Sequence, residues 1–180
     1  MSKDWPPALQ GNRVRLRPSV PRDIDDRFSC GQHPEIVRMY GGDSRNLAPY
    51  SREEAEAWYR ATKAHPMAWA IEYEKRCIGT ARLTVAESDR RARFAIGIFD
   101  ISKLGMGLGT EATKLVLRYA FGTLGLHRLD LRVLEYNKRA IACYEKCGFV
   151  KEGVEREGAL VEGKWESDVM MSILDREYHG

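Results

Sequence analysis

"SKLGMGLGTEATKLVLRYAF", Ser102 to Phe121, sets glycines at 105, 107 and 109 and then runs directly into an amphipathic segment. Ala112, Leu115, Val116, Tyr119 and Ala120 recur at helical spacing on one face, which predicts a core-facing stripe. The glycines fall at the N-terminal end of that helix, where the first turn leaves N–H groups without intrahelical partners. Without Cβ atoms a ligand can reach those groups, and the helix dipole favours an anion, so phosphate is the expected guest. Two other readings stand beside this one. The loop is a glycine-rich turn without a ligand, or it is a dinucleotide loop with Asp130 as the ribose-binding acid about 20 residues downstream. The dinucleotide pattern fits poorly: read from Gly105 the sixth position is Thr110, Asp130 lies inside a strand pattern, and "DISKL" separates the loop from the preceding strand.

Around this stretch the pattern is one of strands interrupted by a few helices. "RVRLRP" (Arg13 to Pro18) alternates as an exposed strand does, and "DIDDRFSCGQHPEIVRMYGG" reads as short helix, loop, short helix. Ser51 followed by Glu54 predicts a capping box and a helix to about Lys63. "MAWAIEY" and "RCIGTARLTV" flank Glu74-Lys75 as a hairpin, "ARFAIGIF" (Ala92 to Phe99) is a further strand, and "HRLDLRVL" follows the glycine-loop helix as another. "NKRAIACYEKCGF" starts on an Asn cap and stops at Gly148, and the tail folds as two strands about Glu162-Gly163. Such an order predicts an α+β chain with a mixed sheet.

The bulk properties narrow the function classes. The 180 residues predict one domain over 1–180, and 29 basic against 26 acidic side chains leave only +3, too little for a nucleic-acid-binding stripe. No stretch approaches the ~20 apolar residues of a membrane span, and "MSKDWPPALQG" carries no apolar run behind its lysine; a cytoplasmic protein without a membrane partner is expected. Cys30, Cys77, Cys143 and Cys147 are expected as reduced thiols, and the scattered histidines give no metal motif.

A second constellation lies in "EYNKRAIACYEKCGF". Asn137 and Tyr144 are seven residues apart and project only ~20° apart around a helix, so they share one face. Strand, "LGMGLGTEA" loop and helix, strand, then this Asn/Tyr helix resembles the GNAT-type acetyl-CoA-dependent N-acetyltransferases, and within them the ribosomal-protein N-terminal and polyamine acetyltransferase branch. The likeness extends to "RVRLRP", "HPEIVRMY" and "GKWESDVMMSIL", nearly the whole chain.

The resemblance implies a mixed, mostly antiparallel central sheet with flanking helices, splayed between the strand ending near Phe99 and the one beginning near Arg128. The pantetheine arm of acetyl-CoA would lie in the splay against the backbone of Ile96, Ile98 and Phe99. The amides of Leu104, Gly105, Met106, Gly107, Leu108, Gly109 and Thr110 would hold its pyrophosphate, and Asn137 would brace it near the thioester. The implied activity is acetyl transfer to a primary amine (small molecule, polyamine or peptide N-terminus) by direct attack in a ternary complex, with no metal. A homodimer is compatible with this reading.

The chemistry then sets the roles. An alkylammonium must lose a proton before it can attack a carbonyl, and a departing thiolate gains from an acid beside it. Tyr144 is the candidate acid. Positions where relatives often carry a glutamate hold Arg93, Ala95 and Arg132, so the candidate bases are Glu135, at the strand end before Asn137, and Glu72, on the preceding hairpin, with a water chain as the third option. Leu104 stands where many relatives carry Arg or Gln, which backbone contacts tolerate. A non-catalytic acyl-CoA-binding module is the rival class, motivated by the same missing glutamates.

Overall fold

The computed structural model describes residues 6–180. Met1–Trp5, part of the N-terminal stretch assessed above for a leader, lie outside the described residues. The chain forms β1 (Leu9–Gln10), β2 (Val14–Arg17), α1 (Asp23–Cys30), α2 (Pro34–Met39), α3 (Arg52–Ala64), β3 (Ala68–Tyr73), β4 (Arg76–Ala86) and β5 (Arg91–Ile98). It continues with α4 (Leu108–Gly122), β6 (Arg128–Leu134), α5 (Lys138–Lys146), β7 (Val150–Val161) and β8 (Lys164–Leu174). The strands make one sheet in the order β1-β2-β3-β4-β5-β6-β8-β7.

All neighbours are antiparallel except β5 and β6, and that exception shapes the molecule. β5 and β6 pair over three register positions only, Arg91↔Arg128, Ala92↔Leu129 and Arg93↔Asp130. Beyond them β5 stays with β4 as far as Gly79↔Ile98, while β6 follows β8 to Leu134↔Asp168. The expected splay is therefore present. At its closed end the buried Asp130 carboxylate takes the Arg93 Nε at 3.2 Å and has Arg91 at 3.6 Å, an ion cluster at the last paired residues.

The core forms where α4 crosses the sheet. Its stripe of Ala112, Leu115, Val116, Tyr119 and Ala120 is buried as the spacing predicted, and Tyr119 meets Trp69 of β3 edge-on at 5.8 Å. Burying each large apolar side chain of this kind contributes ~1.5–3 kcal/mol, which holds the N-terminus of α4 against the sheet. The capping box on α3 forms both ways, Glu54 N–H to Ser51 Oγ at 3.1 Å and Ser51 N–H to the Glu54 carboxylate at 2.7 Å.

One strand assignment needs correction. "RVRLRP" is not solvated on both sides: β2 lies between β1 and β3, Val14 and Leu16 are fully buried, and Arg17 is 6% exposed. Arg17 can be buried because its guanidinium forks onto Asp23 at 2.7 and 2.8 Å and reaches Glu72 at 2.6 Å. A charge paired and hydrogen-bonded on several sides tolerates such a site, and alternation alone does not reveal the partners.

Candidate active site

In an antiparallel pair the residues of one strand point their backbone groups alternately to one neighbour and then the other. Phe99 N–H bonds Ile78 O of β4 at 2.8 Å, so Ile98 and Ile96 turn theirs to the opposite edge, the one β6 has left. This open edge lines a cavity of about 270 Å³. The first turn of α4 walls it with Gly107, Leu108, Gly109 and Thr110, and α5 adds Asn137 and Tyr144 from the far side. Two stretches far apart in sequence thus face one space.

The glycines serve this wall in different ways. Gly105 and Gly107 have φ of 78° and 79°, the left-handed region that other residues adopt at a cost, and they turn the chain into α4. Gly109 lies inside the helix, and a Cβ there would meet no protein atom within 4 Å. Its missing side chain keeps the N-terminal wall of the cavity open. The loop is pinned from behind, where Glu111 accepts from the N–H groups of Arg13 at 2.7 Å and Val14 at 3.1 Å. Arg13 Nη1 completes the tie by donating to Met106 O at 2.9 Å. Burial pushes the Glu111 carboxyl up, but these donors outweigh it and hold the group below the usual carboxylate range.

Tyr144 is 8% exposed, packed edge-on to Phe94 and tilted against Phe149, and burial pushes its phenol well above the ordinary value near 10. Asn137 caps α5 by accepting from Ala140 N–H at 3.1 Å, and its Nδ2 donates to Met39 O at 3.3 Å, so it ties the end of α2 over the cavity. Asn137 also lines the first cavity itself. Tyr40, just past α2, reaches the Ile96 carbonyl with its hydroxyl at 3.2 Å.

Other expectations are redirected. Phe99 spends its N–H on β4, and its ring lines a second cavity instead, while Met106 is 39% exposed outside the first. Neither candidate base reaches the cleft. Glu135 is exposed at the end of β6, and Glu72 is held by Arg17 at 2.6 Å and Arg22 at 2.8 Å. Burial pushes the Glu72 carboxyl up, yet the two arginines outweigh it and lower its pKa, so it is a poor proton acceptor. Among the described residues no Asp or Glu lines either cavity. Sequence reasoning missed Tyr40, whose role depends on a contact across 56 residues, and it missed Lys103, Arg139 and Lys146 around the first cavity. Lys103 and Lys146 form no ion pair among the described residues. Open strand edge, free helix N-terminus and cationic rim fit an acyl-CoA: amide donors and acceptors for the arm, N–H groups and ammoniums for the phosphates.

The second cavity, about 510 Å³, lies on the other side of β5, under α1 and α3. Ile36, Tyr40 and Ile96 line both cavities and form their common boundary. Trp58 and Phe99, edge-on at 5.6 Å, supply its aromatic wall. Among the described residues no group of three or more metal-ligating side chains occurs, and no helix is long and apolar enough to cross a membrane.

Comparison with known proteins agrees with this geometry. The family model described as an acetyltransferase (GNAT) domain matches residues 13–150. The probable N-acetyltransferase YjcK of Bacillus subtilis is 37% identical over 181 residues, covering 93% of this chain and 97% of its own. The spermidine N(1)-acetyltransferase of Escherichia coli K12 is 37% identical over 89 residues, 49% of this chain and 47% of that one. Among solved structures, spermidine N-acetyltransferase from Vibrio cholerae in complex with CoA and spermine superposes with a TM-score of 0.76 at 25% identity, over 93% of this chain and 99% of that one. The chain belongs to the GNAT acetyltransferase family: it is an acetyl-CoA-dependent N-acetyltransferase whose acceptor is an amine.

Proposed function

On that membership, we propose that the acceptor amine enters by the second cavity and attacks acetyl-CoA directly across the boundary at Ile96, with Tyr144 as the acid. The observation that carries the proposal is the meeting of the two cavities at Ile36, Tyr40 and Ile96, beside a buried phenol. Bound acetyl-CoA supplies a thioester whose carbonyl carbon forms the C–N bond as the C–S bond breaks. The N–H groups of Ile96 and Ile98, on the open edge, are the available donors for its carbonyl oxygen. Among the described residues the Tyr144 hydroxyl has no hydrogen-bond partner, and its raised pKa keeps it protonated through the neutral range, so it can give its proton to the leaving sulfur. With no carboxylate lining either cavity among the described residues, the amine passes its proton to water, which favours acceptors that bind as the free base.

The test separates direct attack from a covalent route. Cys143 lines the first cavity with its Sγ 3.2 Å from Thr110 Oγ1, and its Cys147 and Thr110 neighbours lower its thiol pKa, which makes it the nucleophile a two-step route would use. Initial rates varied in both substrates are expected to give intersecting lines, and acetyl-CoA alone is expected to leave the protein mass unchanged. Parallel lines with an acetylated Cys143 would overturn the proposal. No CoA thiol above the hydrolysis rate across a broad amine panel would favour an acyl-CoA-binding module instead.

A further inference from the structure

The second cavity has a charge that the acetyl-transfer reaction does not use. Arg27 of α1 lines it with its guanidinium carbon 3.8 Å from the centre of the Tyr50 ring and 4.5 Å from that of Phe99. It forms no ion pair among the described residues: Nη1 donates to the Gly31 carbonyl at 2.5 Å, while Nε is buried without any partner. A half-buried guanidinium with no carboxylate in ion-pair contact is costly, and the one carboxylate acting on it from a distance, Glu54, is already engaged in the α3 capping box. Arg82 of β4 lines the same cavity, exposed and again without a carboxylate partner. His65 also lines it; Met67 N–H donates to its Nδ1 at 3.2 Å, which leaves Nε2 to carry the proton of the neutral ring as another donor.

A polyamine would meet the opposite of what it needs here. Its second ammonium requires a carboxylate or an aromatic cage; the aromatic faces of Tyr50 and Phe99 are already taken by Arg27. We propose that the acceptor is an amine carrying a carboxylate and an apolar body, of amino-acid type, with the carboxylate on Arg27 and Arg82 and the body against Trp58 and Phe99. The proposal rests on the second cavity being the amine site.

The test compares three acceptors of one skeleton: an aromatic amino acid, its carboxamide, and its decarboxylated amine, with spermidine alongside. For the native chain kcat/KM is expected to be at least ~10-fold higher for the acid than for the amide or the decarboxylated amine, the size of one buried charge-assisted pair. Arg27→Gln should erase most of that preference while acetyl-CoA binding, measured by calorimetry, stays within ~3-fold. Arg82→Gln, at an exposed position, should reduce it partially and does not depend on Arg27 variants folding. Equal rates for acid and amide, or spermidine as the best acceptor, overturn the proposal while leaving amine transfer intact. An Arg27→Gln chain that folds and keeps the full preference also overturns it. Failure of every amine with acetyl-CoA still bound would instead sink the enzyme reading beneath it.

Discussion

The Tyr40 hydroxyl donates to the Ile96 carbonyl at 3.2 Å, joining the end of α2 to the open edge of β5 at the one place where both cavities meet. Gly97 makes the approach possible, since a Cβ there would stand 2.7 Å from that hydroxyl. A phenol with an ordinary pKa near 10 stays protonated at neutral pH, so it remains a donor. Tyr40→Ala should let water through the boundary. Acetyl-CoA hydrolysis without amine is expected to rise, and kcat/KM for the amine to fall by at least ~10-fold as the attack geometry loosens. Tyr40 as a residue is 58% exposed, so thermal stability should change little; unchanged hydrolysis and transfer would show that the contact is ornamental.

Tyr144→Phe keeps the packing against Phe94 and Phe149 and removes a hydroxyl without a protein partner. Stability should shift by no more than about 1 kcal/mol. General acid catalysis typically contributes 10²- to 10⁴-fold, so kcat is expected to fall by ~10² or more with acetyl-CoA affinity within ~10-fold. If kcat stays above about a third of the native value while chemistry is rate-limiting, the proton comes from elsewhere.

The pH profile follows from the direction of the Tyr144 shift. An ordinary phenol near 10 would give a falling limb at high pH, but burial raises this one, and a raised pKa keeps the acid form populated further up the scale. The rate should therefore climb with pH as the amine loses its proton and then level, without a descending limb below about pH 10. A descent centred near pH 9 that vanishes in Tyr144→Phe would contradict the burial.

The glycines should separate by substitution. Gly109→Val places a side chain into the mouth of the first cavity from an ordinary helical backbone, so acetyl-CoA KM is expected to rise sharply with the melting temperature nearly unchanged. Gly107→Val adds a left-handed angle and a contact with Arg13 at 3.4 Å, so it should lose ~1–3 kcal/mol of stability as well. Equal stability losses in both would mean that Gly109 serves packing.

Glu111→Gln removes the charge that anchors Arg13 behind the loop. A loss of about 1–3 kcal/mol is expected, with weaker acetyl-CoA binding because Met106 loses its tie. The native carboxyl is depressed, so its contribution is fully present above the unfolded value near 4.3 and fades as pH falls through the lower folded value. Acid unfolding of native and variant chains should converge only as pH falls below that lowered folded value.

By itself the sequence determined whatever local spacing and backbone chemistry control. The α4 stripe, the Ser51 capping box, the turns at Glu74-Lys75 and Glu162-Gly163, and the stop at Gly148 all follow from residues within one or two turns of each other. That the glycine-rich helix start works together with the Asn/Tyr helix is what the resemblance to the GNAT family implied, since the two lie far apart in sequence. Periodicity could not say that Glu72 would be held by arginines of β2 and the turn into α1, or that Glu135 would face solvent, because a carboxylate's partners come from strands brought alongside it by the sheet. The same holds for Arg27: in the sequence it is one basic residue on a short helix, and only tertiary packing against Tyr50 and Phe99 half-buries it, leaving its Nε unpartnered and no ion pair among the described residues. Burial and pairing are properties of the assembled sheet, and they decide which of the charges can do chemistry.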